Sequence, residues 1–181
     1  MQVPQAERQF LSSIERFPQT EGAYAPVRGT QPQALALGLN DSPAGLAGWI
    51  VEKFRRWSDC DGHPENALTR DELLDNVMLY WVTGTINSSF APYFDVSNAG
   101  AMSWIEQKLK EWTSRNGVPA GFAQFPKDLS NPPREWAARF FDVRRWTEMP
   151  KGGHFAALEQ PELLVNDIRA FFKPFRSIAD A

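Results

Sequence analysis

Two short apolar runs near the C-terminal end limit what this chain can become. VPAGFAQFP, Val118 to Pro126, and VRRWTEMP, Val143 to Pro150, carry no helical period and read as strands. PREWAARFF, with Pro133 at its start, lies between them as a helix, and the amphipathic QPELLVNDIRAFFKPF follows with Leu164, Ile168, Phe171 and Phe175 on one stripe. The order strand, helix, strand, helix predicts an α/β unit with a parallel sheet. A two-stranded parallel sheet needs neighbours on its open edge. The residues before Gly117 read as helices and loops and supply none, so the chain is expected to be part of something larger.

In that first part, QAERQFLSSIERF places Phe10, Ile14 and Phe17 on one face of a helix. The Gly- and Pro-dense segment from Pro18 to Pro43 reads as loop, with a short helix near Pro32 to Leu39. SPAGLAGWIVEKFRRW starts a helix with Ser42 as N-cap and Pro43 in the first position. SDCDGHPENAL reads as a polar, exposed loop. TRDELLDNVMLYWVTGTINSSF opens with a capping box, Thr69 and Glu72, and its nearly continuous apolar residues predict a helix buried on most sides. GAMSWIEQKLKEWTSRNG reads as a further amphipathic helix ended by Gly117.

Composition excludes several classes of function. The 181 residues are 43% hydrophobic and 23% charged, an ordinary globular balance with enough chain for a sizeable core. A net charge of -3 with dispersed basic residues argues against nucleic acid. No run is apolar for long enough to predict a membrane span, and the N-terminal residues have no signal-peptide core. The single cysteine, Cys60, fits a reducing, cytoplasmic setting. Thirteen Phe, seven Trp and three Tyr suggest either an aromatic core or an apolar cavity.

The chain has two histidines, and His154 sits in KGGH directly after the second strand. Paired glycines allow a tight turn there, at the carboxyl end where α/β sheets collect ligands and catalytic groups. Asp128 lies just beyond the end of the preceding strand, so the two residues leave successive parallel strands at the same sheet edge. A carboxylate that orients a histidine base is the arrangement of a catalytic triad. The alternative is a histidine filling a polar corner and an aspartate capping a turn. His63, with Asp59, Asp61 and Glu65, has the residue types of a metal site, but a solvated turn suits that loop better, and no cofactor is expected.

Four stretches together carry a resemblance: EGAYAPVRGTQPQALALGLNDSPAGLAGWIVEKFRRWSD, DELLDNVMLYWVTGTINSSFAPYF, VPAGFAQFPKD and RWTEMPKGGHFAALEQPELLVNDIRAFF. They resemble the C-terminal half of an α/β-hydrolase-fold epoxide hydrolase of the microsomal type. The resemblance implies an α/β chain with an incomplete sheet and a helical lid. Residues 1–116 would be the lid with an adjoining core helix, and 117–181 the last two strand–helix units. It implies His154 as base, Asp128 as its orienting acid, and Tyr24 and Tyr93 as lid tyrosines that hold the epoxide oxygen. Tyr80 is read as core. The substrate would be a small apolar epoxide, opened to a diol through an ester on an aspartate nucleophile.

That nucleophile is not expected in this chain. The nearest formal match to its elbow is SDCDG, which centres on Cys60 and follows a helix rather than a strand. The chain alone is therefore expected to be inactive, and to self-associate or bind a chain carrying the N-terminal half. The rival expectation is an inactive fragment or helical interaction module.

Overall fold

The computed structural model describes residues 4–98, 107 and 117–176. In chain order its helices and strands are α1 (Gln5–Thr20), α2 (Tyr24–Thr30), α3 (Pro32–Asp41), α4 (Pro43–Trp57), α5 (Arg70–Thr83), α6 (Ala91–Asn98), β1 (Pro119–Gln124), α7 (Arg134–Ala137), β2 (Asp142–Glu148), α8 (Ala156–Glu159) and α9 (Pro161–Arg176). The helix expected over 100–117 lies outside the described residues, apart from Gln107.

Helix starts agree with the sequence signals. Ser42 Oγ accepts the Gly45 amide at 3.0 Å and Pro43 needs no donor in the first turn. Thr69 and Glu72 cap each other's backbone at the start of α5. The helical core gathers Ala36 and Leu39 of α3, Leu46, Ile50 and Phe54 of α4, Leu73 and Val77 of α5, and Phe90. Leu46 and Phe90 are fully buried in it. Tyr80 packs against this cluster, as expected of a core residue.

The strands pair in parallel, Pro119 opposite Asp142 through Gln124 opposite Glu148, with a register shift at Ala120/Gly121. Among the described residues the sheet has these two strands. α9 covers one face: Phe171 lies where a Cβ on Gly121 would come within 2.8 Å of its ring. Asp167 is buried and accepts from Arg145 Nε and Thr147 Oγ1, each at 2.6 Å, tying α9 to β2. α1 reaches the same region through Phe10 edge-on to Trp136 at 4.6 Å and an ion pair from Glu7 to Arg139.

Three expectations change. The segment at Tyr24–Thr30 is helical rather than loop. Pro26 stands third in α2, where an N–H would have no intrahelical partner, so its missing donor costs nothing. Gly29 lets α2 and α6 touch, since a Cβ there would sit 2.3 Å from Ser97 Oγ. Next, α5 is not buried on most sides: on its outer apolar face Leu79 is 66% and Val82 72% exposed. α9 is likewise open at Ile168 and Phe172. Finally, the loop after α4 is not a free polar loop, for Ser58 and Cys60 are buried under the turn that carries His154.

Candidate active site

The parallel pairing continues past the ends of the strands. Met149 N donates to Gln124 O at 2.8 Å, and Lys127 N to Gly152 O at 3.1 Å, with Lys127 and Gly153 forming a further parallel bridge. The next pair in that register is Asp128 and His154. Their side chains meet, Asp128 Oδ1 to His154 Nδ1 at 2.9 Å. The same carboxylate oxygen accepts the Leu129 amide at 2.7 Å, which fixes its orientation. With Nδ1 engaged, Nε2 is the ring nitrogen left to face a reactant. His154 is 40% exposed at its side chain and Asp128 34%, so the pair opens to one side.

The turn that holds His154 is clamped by groups the sequence did not announce. Glu159, only 8% exposed, accepts three backbone N–H bonds. Oε2 takes Asp59 N at 2.8 Å and Gly153 N at 3.0 Å, and Oε1 takes Phe155 N at 3.0 Å. Asp59 Oδ2 in turn accepts Gly152 N at 2.9 Å. Trp57 O accepts the amide of His154 itself at 2.8 Å. Gly153 is required by closeness: a Cβ would stand 2.5 Å from Trp57 O and 2.9 Å from Asp59 N, both backbone atoms that cannot step aside. Gly152 adopts φ 112°, a conformation that favours glycine. Clamping residues of this kind have a readable trace only in part: GG before a histidine is visible, whereas a carboxylate bonded to amides 100 residues away is not.

From His154 a row of aromatic rings leads to the two tyrosines. His154 meets Trp57 edge-on at 5.5 Å, Trp57 meets Tyr24 at 5.3 Å, and Tyr24 meets Tyr93 at 5.8 Å. Tyr24 opens α2 and Tyr93 lies on α6, the helices that Gly29 brings into contact. The two phenol rings pack edge to face, so each lies in the other's immediate surroundings. Burial pushes the Tyr24 phenol above its ordinary ionisation range and Tyr93 pushes the same way, while the Arg28 guanidinium draws it back. Tyr24 is therefore held as a neutral hydrogen-bond donor. Glu21 accepts from the Trp57 indole at 3.2 Å and pairs with Arg56, setting the central ring of the row.

The arrangement joins a histidine–carboxylate pair to two phenols across a single indole. It can remove a proton from water at one end and donate hydrogen bonds to a developing oxyanion at the other. The other candidates fall away from it. His63 is exposed, and among the described residues no cluster of three His, Cys, Asp or Glu side chains is placed to hold a metal. Cys60 is 2% exposed with its thiol on Arg55 O at 3.4 Å, a packed position rather than an open nucleophile. A cavity of about 590 Å³ between Thr30–Ala34 and Asn87–Asp95 lies off the row, and among the described residues Asp95 is the charged one lining it. No helix among the described residues is long and apolar enough to cross a membrane.

No protein-family model matches the chain. Known proteins do. A protein of Stigmatella aurantiaca named putative epoxide hydrolase is 38% identical over 172 residues, 94% of this chain and 37% of its own length. Epoxide hydrolase 1 of Oryctolagus cuniculus is 39% identical over 175 residues, 93% of this chain and 36% of its own. Among solved structures, the juvenile hormone epoxide hydrolase of the silkworm Bombyx mori superposes with a TM-score of 0.82 at 28% identity, covering 98% of this chain and 43% of that one. The chain thus spans little more than a third of the length of the curated relatives it matches.

Proposed function

We propose, from a chain that belongs to the α/β-hydrolase-fold epoxide hydrolases and fits a C-terminal part of them, that it supplies the base, the orienting acid and the oxygen-binding tyrosines of epoxide opening. The observation that carries this reading is the contact of Asp128 with His154 Nδ1 at 2.9 Å, at one end of an aromatic row whose other end holds Tyr24 and Tyr93 side by side.

The chemistry runs in two stages. An aspartate carboxylate supplied from outside this sequence attacks an epoxide carbon. The carbon–oxygen bond breaks and the electron pair goes to oxygen, which becomes an alkoxide. Tyr24 and Tyr93 donate hydrogen bonds as that charge grows, where a single such donor is worth about 3 kcal/mol. A carboxylate needs no deprotonation to act as nucleophile near neutral pH. In the second stage His154 Nε2 takes a proton from water, and the hydroxide attacks the ester carbonyl. The acyl carbon–oxygen bond of the ester then breaks, the alcohol leaves and takes up the proton from the imidazolium as the diol, and the aspartate carboxylate is restored. Asp128 accepts from Nδ1–H and stabilises the imidazolium that forms. A small apolar epoxide suits a wall made of Trp57, Tyr24, Tyr93 and Phe155.

The nucleophile-bearing part would dock on the open apolar faces of α5 and α9, where Leu79, Val82 and Phe172 are exposed. Those same faces favour a second reading, an interaction module without turnover. One experiment separates the two. In an assembled enzyme bearing this chain, His154→Ala should form the covalent ester on the nucleophile and stall there, visible as a stable mass adduct without diol. Wild-type turnover by that variant, or absence of any adduct, defeats the hydrolase reading.

A further inference from the structure

We propose that Arg28 is a positioning residue for the oxygen-binding tyrosines: a guanidinium packed against both phenol rings that holds them side by side and primes them to donate to a developing alkoxide. The proposal rests on the reading of Tyr24 and Tyr93 given above and extends it to a residue that touches neither base nor acid.

Arg28 comes one helical turn after Tyr24 on α2, so the two side chains share a face. Its guanidinium carbon lies 5.2 Å from the centre of the Tyr24 ring and 4.9 Å from that of Tyr93. Phe90 at 4.7 Å and Trp49 at 5.3 Å close the cage. Inside it the Arg28 Nε is buried and finds no hydrogen-bond acceptor, and the Trp49 indole N–H is in the same condition. A half-buried cation whose Nε is enclosed by ring faces keeps much of its field. That field falls on both phenols at once.

Most of the other charged groups around the pair have partners of their own. Lys53 on α4 sits 5.4 Å from the Tyr24 ring but is paired with Glu52 at 2.6 Å. Glu21, on the Trp57 indole, is paired with Arg56. His154 stands on the far side of Trp57 with Asp128. On α6, Asp95 stands two residues after Tyr93 and lines the neighbouring cavity. Arg28 is thus a charge within about 5 Å of both rings, and it acts on the Tyr24 phenol against burial and against Tyr93.

The test is an ultraviolet titration of phenol ionisation in the full chain. Tyr24→Phe and Tyr93→Phe assign the transitions, with Tyr80 outside the cage as internal reference. In Arg28→Gln the Tyr24 transition should move to higher pH. In Arg28→Lys it should move part of the way, because guanidinium groups stay charged where phenols titrate and ammonium groups do not. A Tyr24 transition that stays in place or falls in a folded Arg28→Gln chain overturns the proposal. Should that variant fail to fold, Arg28→Lys carries the test: an intermediate rise supports the proposal and no movement overturns it. The titration reads no epoxide chemistry. A failure of the hydrolase reading shows itself separately, in the His154→Ala adduct experiment.

Discussion

Replacing Glu159 by glutamine keeps the size of the side chain and removes what it does. Its two oxygens accept from Asp59, Gly153 and Phe155 amides. In the best orientation of a glutamine, the amide oxygen takes the place of Oε2 and keeps two of the three donors. The NH2 then faces Phe155 N–H, a donor against a donor. One buried amide left unsatisfied costs about 2 kcal/mol, and exchanging a charged acceptor for a neutral one weakens each of the two kept bonds by about 1 kcal/mol. A neutral amide is easier to desolvate than a carboxylate, which returns part of that loss. A net destabilisation of about 2 kcal/mol remains. Urea denaturation of the full chain measures it as a lower midpoint at unchanged slope. The same substitution should loosen the KGGH turn, so the His154 ring resonances should shift while those of exposed His63 stay. A loss below about 0.5 kcal/mol with both histidines unmoved would refute the clamp, for it would mean the amides find water or other acceptors without cost.

Three further outcomes rest on the geometry. Gly153→Ala drives a Cβ to 2.5 Å from Trp57 O, so it should destabilise the chain by about 1–3 kcal/mol and lower its melting temperature, whereas an unchanged melting temperature would contradict the close approach. Burial alone would raise the ionisation of Glu21, but hydrogen bonds from Arg56 and Trp57 and the charges of Arg56 and Lys53 outweigh it and hold the carboxyl below its ordinary 4.5. The stability Glu21 adds is therefore present above pH 4.5 and lost as pH falls through its folded value, so the gap between wild type and Glu21→Gln in acid denaturation should close below 4.5. The open faces of α5 and α9 should make the purified chain self-associate, and a monomer by light scattering at high concentration would show that Leu79, Val82 and Phe172 need no cover.

Local chemistry and short-range pairing were legible in the sequence, and long-range clamping was not. Thr69 with Glu72, and Ser42 with Pro43, announced α5 and α4 because a cap is written within three residues. Asp128 and His154 could be placed together because two successive parallel strands deliver the residues just past their ends to one edge, and the Lys127–Gly153 bridge continues that register. α2 was hidden because Pro26 and Gly29 look like breakers, yet one occupies a turn position without a needed donor and the other a helix crossing. Glu159 and Asp59 were illegible for another reason. The bonds that join Asp59 to Glu159 and to Gly152 run to backbone amides about a hundred residues away, which leave no mark on residue type. The continuous apolar run of α5 pointed to burial on most sides, but an apolar run does not say what covers each face, and Leu79 and Val82 stand exposed.

The last carbonyl of α4 has a mechanical consequence. Trp57 O receives the His154 amide, and the next residues receive or donate the remaining bonds of that turn. A rigid swing of α4 would pull directly on the backbone of the histidine. The alignment of the imidazole with Asp128 is therefore only as firm as the seating of α4 on that turn.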